Sequence, residues 1–440
     1  MGKKINPIIV RIFLLICILF GIILRFNVID KSVVYVPIRA DALDYFSYAY
    51  NLKYNGVYSK IPTFSERDDR LTINPDAKRP PIFPIFASIF MDKANLSTSL
   101  KSVLFAQAIV QCIAMLFLSA IIAYALGSVE CCILILMLWT QPHLININIY
   151  FLTESLFSSL LIFSLCFMWL YQIKKNRFWF YLCAVSIGIS AITRPTMEYF
   201  PLFFLIYGLV VSREQLKRLV IFMIICLFPI IVWKARNFIS TGMISDPGLM
   251  VGALYHGSFP DFMYNGQVKS FGFPYRFDPL SEKATANLYS AVSVIGERVS
   301  GDPITYIYWY LWGKLTYLWK WNIIAGQGDI FIYPTIISPY YGSPDFVYSK
   351  LIHQMLHNAF VVMALIYSCF KSIQTFVEKT SVFDIKIFIS LNLIYVSLLH
   401  MIAAPFPRYG IPFRPYVFLA ALFFMLELKC FFKDHKREKR

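Results

Sequence analysis

Long apolar runs alternate with short polar connections along the chain. Runs of this kind include Leu104 to Leu126, Leu219 to Val232 and Tyr416 to Leu428. A helix needs about 20 mainly apolar residues to cross the hydrocarbon core of a bilayer. The pattern therefore predicts an all-α, polytopic integral membrane protein with about ten transmembrane helices. We place these helices at 7–29, 102–126, 131–149, 152–172, 178–196, 199–212, 219–236, 351–370, 386–403 and 415–432.

The first apolar run, Ile12 to Leu24, has the length of the apolar region of a secretory signal. No small-residue cleavage site follows it, so we interpret it as an uncleaved first span. Composition agrees with a membrane protein, since 58% of the residues are hydrophobic and soluble domains contain about 45–50%. A soluble protein is therefore excluded as an interpretation of this sequence.

The net charge of +16 could suggest a nucleic-acid partner, but its distribution argues against one. In the connections that we assign to the cytoplasm, together with both termini, basic residues outnumber acidic ones by 17 to 6. Cytoplasmic loops of membrane proteins carry such an excess of Lys and Arg. Most of the excess positive charge therefore reflects topology, and both termini are predicted to be cytoplasmic.

We interpret residues 1–440 as a single transmembrane domain. In this topology two long polar segments, 30–101 and 237–350, lie on the outer side of the membrane. The second contains an apolar stretch near 304–324 that is crowded with Tyr and Trp and carries Lys314 and Lys320. Aromatic residues favour the membrane interface. This stretch is therefore predicted to be an amphipathic juxtamembrane helix, with an additional span as the alternative.

Charged residues gather where the predicted helices meet the outer face. They are Asp41, Asp44, Glu154, Arg194, Glu198, Arg236, Arg408 and Arg414. Short outer connections normally avoid Arg, so Arg194, Arg408 and Arg414 need a local reason. A guanidinium suits phosphate, which favours a lipid-phosphate site. The alternative is that each arginine snorkels or pairs with a nearby carboxylate.

The two aspartates of the first outer segment are candidates for acid–base chemistry. Asp41 and Tyr45 share a face of a helix, whereas Asp44 projects about 60° from Asp41. A carboxylate near the arginines could act as a general base towards an attacking hydroxyl. The alternative is that Asp41 caps its helix. Spacing alone leaves both interpretations open.

The positions of the cysteines and histidines indicate neither a metal-binding site nor a disulfide framework. The nine cysteines lie in or beside apolar spans. His353 and His357 have the i, i+4 spacing of metal ligands, but the sequence shows no third ligand nearby. No cofactor is expected, and no feature of the sequence supports a divalent cation such as Mg²⁺ or Mn²⁺.

Several short motifs occur in the order and on the membrane side expected of a known superfamily. The chain resembles the GT-C glycosyltransferases, especially the protein O-mannosyltransferase-like enzymes and the lipid A aminoarabinose transferase. The resemblance covers nearly the whole chain. The motifs are Asp41-Ala-Leu-Asp-Tyr45, Ala49, Asn51-Leu52, Gly56-Val-Tyr58-Ser59, Arg79-Pro80-Pro81-Ile-Phe-Pro84, Leu152-Thr153-Glu154-Ser155-Leu156-Phe157, Thr193-Arg194-Pro195, Trp233-Lys-Ala-Arg236-Asn237 with Gly242, and Arg408-Tyr409 with Pro412 and Pro415.

The resemblance implies a GT-C fold, a polyprenyl-phosphate sugar donor and an acceptor reached from the outer side, with inversion at the anomeric carbon. It places the catalytic aspartate at Asp41, with Tyr45 four residues later. It therefore favours a general-base role for Asp41 over a helix-capping role. Asp44 is retained as a second catalytic candidate, although it departs from the aminoarabinose transferase pattern. The residues predicted to bind donor phosphate or substrate are Tyr45, Arg79, Glu154, Arg194, Arg236 and Arg408.

The sequence therefore predicts an inverting glycosyltransferase that moves one sugar onto a hydroxyl of a lipid, glycan or protein. Two alternatives remain: a transporter or flippase of lipid-linked sugars, and an O-antigen polymerase or ligase. The abundance of Lys, Ile, Phe and Tyr and the lack of cysteine in the outer segments favour a bacterial inner membrane, with the active site on the periplasmic side.

Overall fold

The computed structural model describes residues 7–64, 73–126, 129–324 and 326–438. These residues are mainly helical, with one two-stranded sheet. The helices are α1 Pro7–Lys31, α2 Asp41–Tyr54, α3 Ile82–Ser88, α4 Leu96–Leu126, α5 Val129–Thr140, α6 Pro142–Asn146, α7 Glu154–Lys174, α8 Arg177–Ala191, α9 Phe200–Val211, α10 Leu216–Thr241, α11 Gly248–Gly257, α12 Ser281–Thr285, α13 Leu288–Gly301, α14 Pro303–Tyr308, α15 Lys314–Leu318, α16 Pro344–Glu378, α17 Ile385–Ile402, α18 Pro407–Gly410 and α19 Arg414–Glu438. The strands are β1 Val33–Val34 and β2 Thr335–Ile337.

Within those described ranges, eight helical segments are long and apolar enough to cross a membrane. The shorter apolar segments Arg177–Ala191 and Pro195–Val211 accompany them. Together they correspond to the ten spans expected from hydropathy. The prediction of an all-α polytopic membrane protein is confirmed.

One predicted span, 131–149, is broken rather than straight. Helix α5 ends at Thr140 and α6 begins at Pro142, with Gln141 in an extended conformation between them. Proline lacks an N–H group and cannot continue the hydrogen-bond ladder. Arg25 of α1 satisfies the carbonyl of Trp139 by donating from Nη1 at 2.7 Å. The break is thus stabilised by a buried arginine from another helix.

The same region shows why α1 can approach the broken helix closely. A Cβ atom placed on Gly21 would lie 2.7 Å from Cβ of Trp139 and 2.9 Å from its carbonyl oxygen. Small residues allow transmembrane backbones to pack at short range. Gly21 therefore permits the contact that brings Arg25 to the break.

The two long connections between spans are joined by the small sheet. Strand β1 follows α1 and pairs antiparallel with β2, with Val33 opposite Ile337 and Val34 opposite Thr335. Helix α2 then packs through its apolar face, where Tyr45 meets Phe83 edge-on at 5.4 Å between ring centroids. Phe83 in turn contacts Phe151 at 5.1 Å. These ring contacts fix the helix that begins at Asp41.

The stretch predicted as a juxtamembrane helix is helical from Pro303 to Leu318, with a π-helical turn at Trp309–Gly313. Ile304, Ile307 and Leu311 are exposed along it, whereas Trp309 is buried. The segment is amphipathic, and its location at the membrane surface remains a prediction.

Candidate active site

The carboxylate of Asp41 is held between two arginines from distant parts of the chain. Arg79 donates from Nη2 to Oδ1 at 2.7 Å, and Arg408 donates from Nη2 to Oδ2 at 2.7 Å. Asp41 is the first residue of α2, and the N-cap position before it is occupied by Ala40, with no side-chain cap hydrogen bond. The Asp41 carboxylate therefore pairs with the two arginines and does not cap its own helix.

Asp44 lies one helical turn further on and shares one of those arginines. Arg79 donates to Oδ2 of Asp44 from Nε at 2.9 Å and from Nη2 at 2.8 Å. The ammonium of Lys78 lies 3.0 Å from the same oxygen. The Arg79 guanidinium also lies over the ring of Tyr45, 5.3 Å from its centroid. Asp44 thus fixes Arg79, and Arg79 in turn reaches Asp41.

A second ion pair lies beside this group and is almost fully buried. Arg194 donates from Nη1 to Oε1 of Glu154 at 2.8 Å, and the Glu154 side chain is only 3% exposed. The ring of Tyr409 joins the two arginine clusters, because Arg194 lies 4.5 Å and Arg408 lies 5.3 Å from its centroid. The other carboxylate oxygen of Glu154, Oε2, has no partner among the described residues.

The charges around Asp41 determine its protonation state. Burial by itself would raise the pKa of the Asp41 carboxyl, but Arg408 and Arg79 outweigh it and hold that pKa well below its usual range. Opposite charges within about 4–6 Å favour the ionised form. In this arrangement Asp41 is therefore a carboxylate with both oxygens engaged, and a weak base.

These ion pairs line a large cavity with a volume of about 1010 Å³. Its polar part contains Asp41, Arg79, Glu154, Arg194 and Arg408, and Tyr45 and Lys78 also line it. Apolar side chains also line the cavity. They include Ile192, Ile230, Trp233, Leu399 and Ile402. The cavity therefore combines arginine side chains with apolar ones, a composition that suits a lipid with an anionic head.

Arg236 lies apart from this group. Its guanidinium is 5.0 Å from the ring centroids of both Tyr58 and Trp233, and Nη1 donates to the backbone carbonyl of Asp76 at 2.9 Å. The residues lining the cavity do not include it. Its observed contacts connect α10 to the first long connection.

Arg414 is also separate, although the sequence places it in the same short connection as Arg408. It is 1% exposed and contacts Nδ1 of His357 at 3.1 Å. His357 in turn lies 2.7 Å from the carbonyl oxygen of Trp319, and His353 contacts Thr140. Neither histidine faces a metal cluster: in the described part of the chain, no three His, Cys, Asp or Glu residues are grouped to hold a metal ion.

Several residues of the cavity were missed by sequence reasoning. Lys78 binds Asp44, and Lys234 pairs with Glu198 at the cavity wall. The basic pair Lys78-Arg79 in a polar connection was a visible signal. Lys234 lies two residues before the predicted Arg236 in the same motif and, unlike Arg236, lines the cavity.

The residue range 78–233 matches the model of the dolichyl-phosphate-mannose-protein mannosyltransferase family. This range contains Arg79, Glu154 and Arg194. This part of the chain is glycosyltransferase-like. The resemblance to polyprenyl-phosphate-dependent glycosyltransferases that the motifs indicated is confirmed, and the family match covers about a third of the sequence.

Three solved structures are similar to this chain. ArnT from Cupriavidus metallidurans bound to undecaprenyl phosphate is 11% identical, with a TM-score of 0.41 over 92% of this chain and 77% of that one. Its apo form is 11% identical, with a TM-score of 0.40 over 93% and 77%. The oligosaccharyltransferase AglB from Archaeoglobus fulgidus is 13% identical, with a TM-score of 0.49 over 98% of this chain and 52% of its own. The chain thus spans about half the length of AglB. No curated protein sequence matches it significantly.

Proposed function

We propose that this chain is an inverting glycosyltransferase that moves one sugar from a polyprenyl-phosphate donor to a hydroxyl of a lipid, glycan or protein. One observation carries the proposal: the carboxylate of Asp41 lies between Arg79 and Arg408 at the wall of a large cavity that apolar side chains also line. The family match, which begins at residue 78 and so includes Arg79, supports the same activity.

Arg79 and Arg408 are the groups that would bind the donor phosphate. Guanidinium groups offer several donors in a planar fork and form strong hydrogen bonds to phosphate oxygens. Nε of Arg408 is buried and has no partner within the described residues, so this arginine has donor capacity beyond its bond to Asp41. Arg194 adds a third positive charge across the ring of Tyr409. Together these groups would stabilise the charge on the departing phosphate.

Donor binding would also activate Asp41. The phosphate oxygens compete with the Asp41 carboxylate for Arg79 and Arg408, so the carboxylate loses part of the stabilisation that depresses its pKa. Its basicity then rises towards that of an ordinary carboxylate. Asp41 is thus held inactive by the arginines in the free protein and becomes a base when the donor occupies them.

The chemical step is a single displacement. The acceptor hydroxyl gives its proton to the carboxylate of Asp41, and its oxygen forms a bond to the anomeric carbon. The bond from that carbon to the phosphate oxygen breaks, and the electron pair leaves with polyprenyl phosphate, whose charge becomes one unit more negative. One displacement inverts the configuration at the anomeric carbon. Asp44 and Glu154 position Arg79 and Arg194, respectively.

The apolar part of the cavity would hold the first isoprene units of the donor. Ile230 and Trp233 belong to α10, and Leu399 and Ile402 belong to α17. Burying apolar surface contributes about 25 cal/mol per Å². The lipid would therefore supply binding energy while the arginines select the phosphate.

The location and metal requirement are part of the same proposal. We place the site on the non-cytoplasmic face, in a bacterial inner membrane, with both termini in the cytoplasm. Phosphate is already a good leaving group, and the three arginines supply the charge that a divalent cation would otherwise provide. Transfer is therefore expected to proceed without an added metal.

The test uses purified protein in proteoliposomes with a panel of radiolabelled polyprenyl-phosphate sugars and lipid, glycan and peptide acceptors. The proposal expects label to move to an acceptor, with one sugar per product and inverted configuration. Label that crosses the bilayer still attached to its lipid would instead show a transporter. Transfer of preassembled oligosaccharide, and not of a single sugar, would show a polymerase or ligase.

A further inference from the structure

Three consecutive carbonyl groups of one turn each contact a buried side chain from a different helix. The turn, Trp319–Trp321, follows the end of α15 at Leu318. Inside a protein, carbonyl groups outside regular helices need other partners. The contacts are Nε2 of His357 (α16) with the Trp319 oxygen at 2.7 Å, Nη2 of Arg414 (α19) with the Lys320 oxygen at 3.3 Å, and Nε2 of His143 (α6) with the Trp321 oxygen at 2.9 Å. We refer to His143, His357 and Arg414 as the carbonyl clamp, because together they fix the path of this turn.

Two members of the carbonyl clamp also contact each other. Nη1 of Arg414 lies 3.1 Å from Nδ1 of His357. Because Nε2 of His357 faces a carbonyl oxygen, Nε2 carries the ring hydrogen and Nδ1 is the acceptor. Arg414 is 1% exposed, and the salt bridges within the described part of the chain do not include it. A buried charge is stabilised only through such polar contacts, so His357 and the Lys320 carbonyl hold Arg414 in place.

A continuous helical path connects Arg414 to Arg408. Arg408 lies in α18, a 3₁₀ turn at Ile411–Phe413 follows directly, and α19 begins at Arg414. Both Ile411 and Phe413 are fully buried. The two arginines are six positions apart, which corresponds to a rise of about 9–12 Å along such a path. A displacement of Arg414 would therefore be passed on to Arg408.

The same path packs directly on the turn that the carbonyl clamp holds. A Cβ atom placed on Gly410 would lie 2.9 Å from the carbonyl oxygen of Leu318 and 3.5 Å from two ring atoms of Trp319. The absence of a side chain at Gly410 allows this close approach. The helical turn that carries Arg408 is thus supported at Gly410 as well as at Arg414.

The position of Arg408 decides whether it can act at the site. Its Nη2 donates to Oδ2 of Asp41 at 2.7 Å, and its guanidinium lies 5.3 Å from the ring centroid of Tyr409. A misplacement of about 1 Å can cost about 100-fold in rate, even when its cause lies far from the reacting atoms. Residues that fix this turn can therefore affect the reaction without touching the substrate.

We propose that His357 and Arg414 are positioning residues of the sugar transfer. They hold the turn Trp319–Trp321 and the start of α19, and through these two supports they set the position of Arg408 beside Asp41. The residues that line the cavity include neither His357 nor Arg414, so both act through Arg408. The inference rests on the proposed function, since it concerns an arginine assigned there to the donor phosphate.

The test measures the displacement of a fluorescent polyprenyl phosphate from the purified protein by unlabelled polyprenyl phosphate. His357→Leu removes both polar contacts of the imidazole and should weaken affinity roughly 3- to 30-fold, within the range of coupling between residues of one network. Arg414→Gln should cause a loss of similar size. His357→Gln can still donate and accept, so it should retain more of the affinity than His357→Leu.

A double-mutant cycle with Arg408→Gln separates positioning from general damage. If the carbonyl clamp acts through Arg408, adding His357→Leu to Arg408→Gln should change the affinity by less than about twofold. The same loss in both backgrounds would overturn the proposal, because independent effects add in free energy.

His353 is the matched control, because it is buried one turn earlier on α16 and contacts Thr140 in place of the clamped turn. His353→Leu should lower the unfolding temperature, as His357→Leu does, and leave phosphate affinity unchanged. An equal loss of affinity in the two variants would show that any damage to α16 weakens the site, and would contradict a specific role for His357.

Gly410→Ala tests the same support from the other side and decides the matter if His357→Leu does not fold. It should weaken phosphate affinity, whereas Gly342→Ala should not, since a Cβ atom there meets nothing within 4 Å. Unchanged affinity in Gly410→Ala would overturn the proposal. Wild type that fails to bind polyprenyl phosphate would contradict the proposed function itself. Wild type that binds, with a loss in His357→Leu that does not depend on Arg408, would contradict only the positioning role.

Discussion

Arg408 donates from Nη2 to Oδ2 of Asp41 at 2.7 Å, although 367 residues separate the two in sequence. This ion pair joins the first residue of α2 to the short helix α18, which precedes the last long helix. Arg79 donates a hydrogen bond to Oδ1, the other oxygen of the same carboxylate. The arrangement holds a carboxylate and two candidate phosphate-binding groups together, so that a donor phosphate would compete with Asp41 for the same two arginines.

Replacing Arg408 is expected to weaken donor binding. Arg408→Gln removes the charge while keeping a donor for Asp41, and hydrogen bonds to charged groups contribute about 1.5–3 kcal/mol. Affinity for polyprenyl phosphate should therefore fall roughly 10- to 150-fold in a displacement assay. Arg79→Gln should show a loss of similar size.

Arg236→Gln is the matched control, because Arg236 is an arginine of the same motif set that lies outside the cavity. Its contacts with Tyr58 and Trp233 predict a change in stability and little change in phosphate affinity. If Arg236→Gln weakened phosphate binding as much as Arg408→Gln, the assignment of the phosphate site would be wrong.

The close approach of α1 to the broken helix predicts a steric effect. Gly21→Ala would place a Cβ atom 2.7 Å from Cβ of Trp139, and overpacking of this kind costs about 1–3 kcal/mol. Thermal unfolding in detergent should show the loss. Gly296→Ala is the control, since a Cβ there meets nothing within 4 Å. Equal stability of the two variants would contradict the packing described.

The depressed pKa of Asp41 predicts how acid affects stability. A carboxyl with a folded pKa below its unfolded value of about 3.9 stabilises the protein fully above that value and loses the contribution as the pH falls below it. The stability difference between wild type and Asp41→Asn should therefore be constant from pH 7 to about 5 and shrink below about 4. Thermal unfolding across this range checks the sign; a difference that grows with acid would contradict it.

Metal removal is expected to leave transfer intact. The positive charges at the site come from Arg79, Arg194 and Arg408. Sugar transfer measured after dialysis against EDTA, with and without added Mg²⁺ or Mn²⁺, should therefore show rates within about twofold of each other. Loss of transfer that is restored by either cation would show that the arginines alone are insufficient.

Much of the fold could be predicted from the sequence, because the bilayer demands long apolar helices and hydropathy reports them directly. The break at Gln141 was not predicted, although Pro142 marks it. The break depends on Arg25 reaching the carbonyl of Trp139 from another helix, and a contact of that kind follows from three-dimensional packing.

The candidate site was also predictable only in part, because contacts between distant residues depend on three-dimensional packing. Placing charges at one end of the helices identified Asp41 and Arg408 as candidates, and the family resemblance added Arg79. How these side chains pair needs the structure. Arg414 and Arg236 carry the same charge as Arg408 and occur in comparable positions of the sequence. Only their surroundings, a buried histidine for one and two aromatic rings for the other, separate them from the cavity.

The central claim is that Asp41 is the base of a sugar transfer. The most direct measurement is transfer from radiolabelled polyprenyl-phosphate sugars in membranes that contain wild type, Asp41→Asn or Asp44→Asn at equal expression. Asp41→Asn should lower the rate by about 10²–10⁴ while polyprenyl phosphate still binds, and Asp44→Asn should cause a smaller loss, because Arg79 keeps its bond to Asp41. Transfer by Asp41→Asn at the wild-type rate would contradict the account.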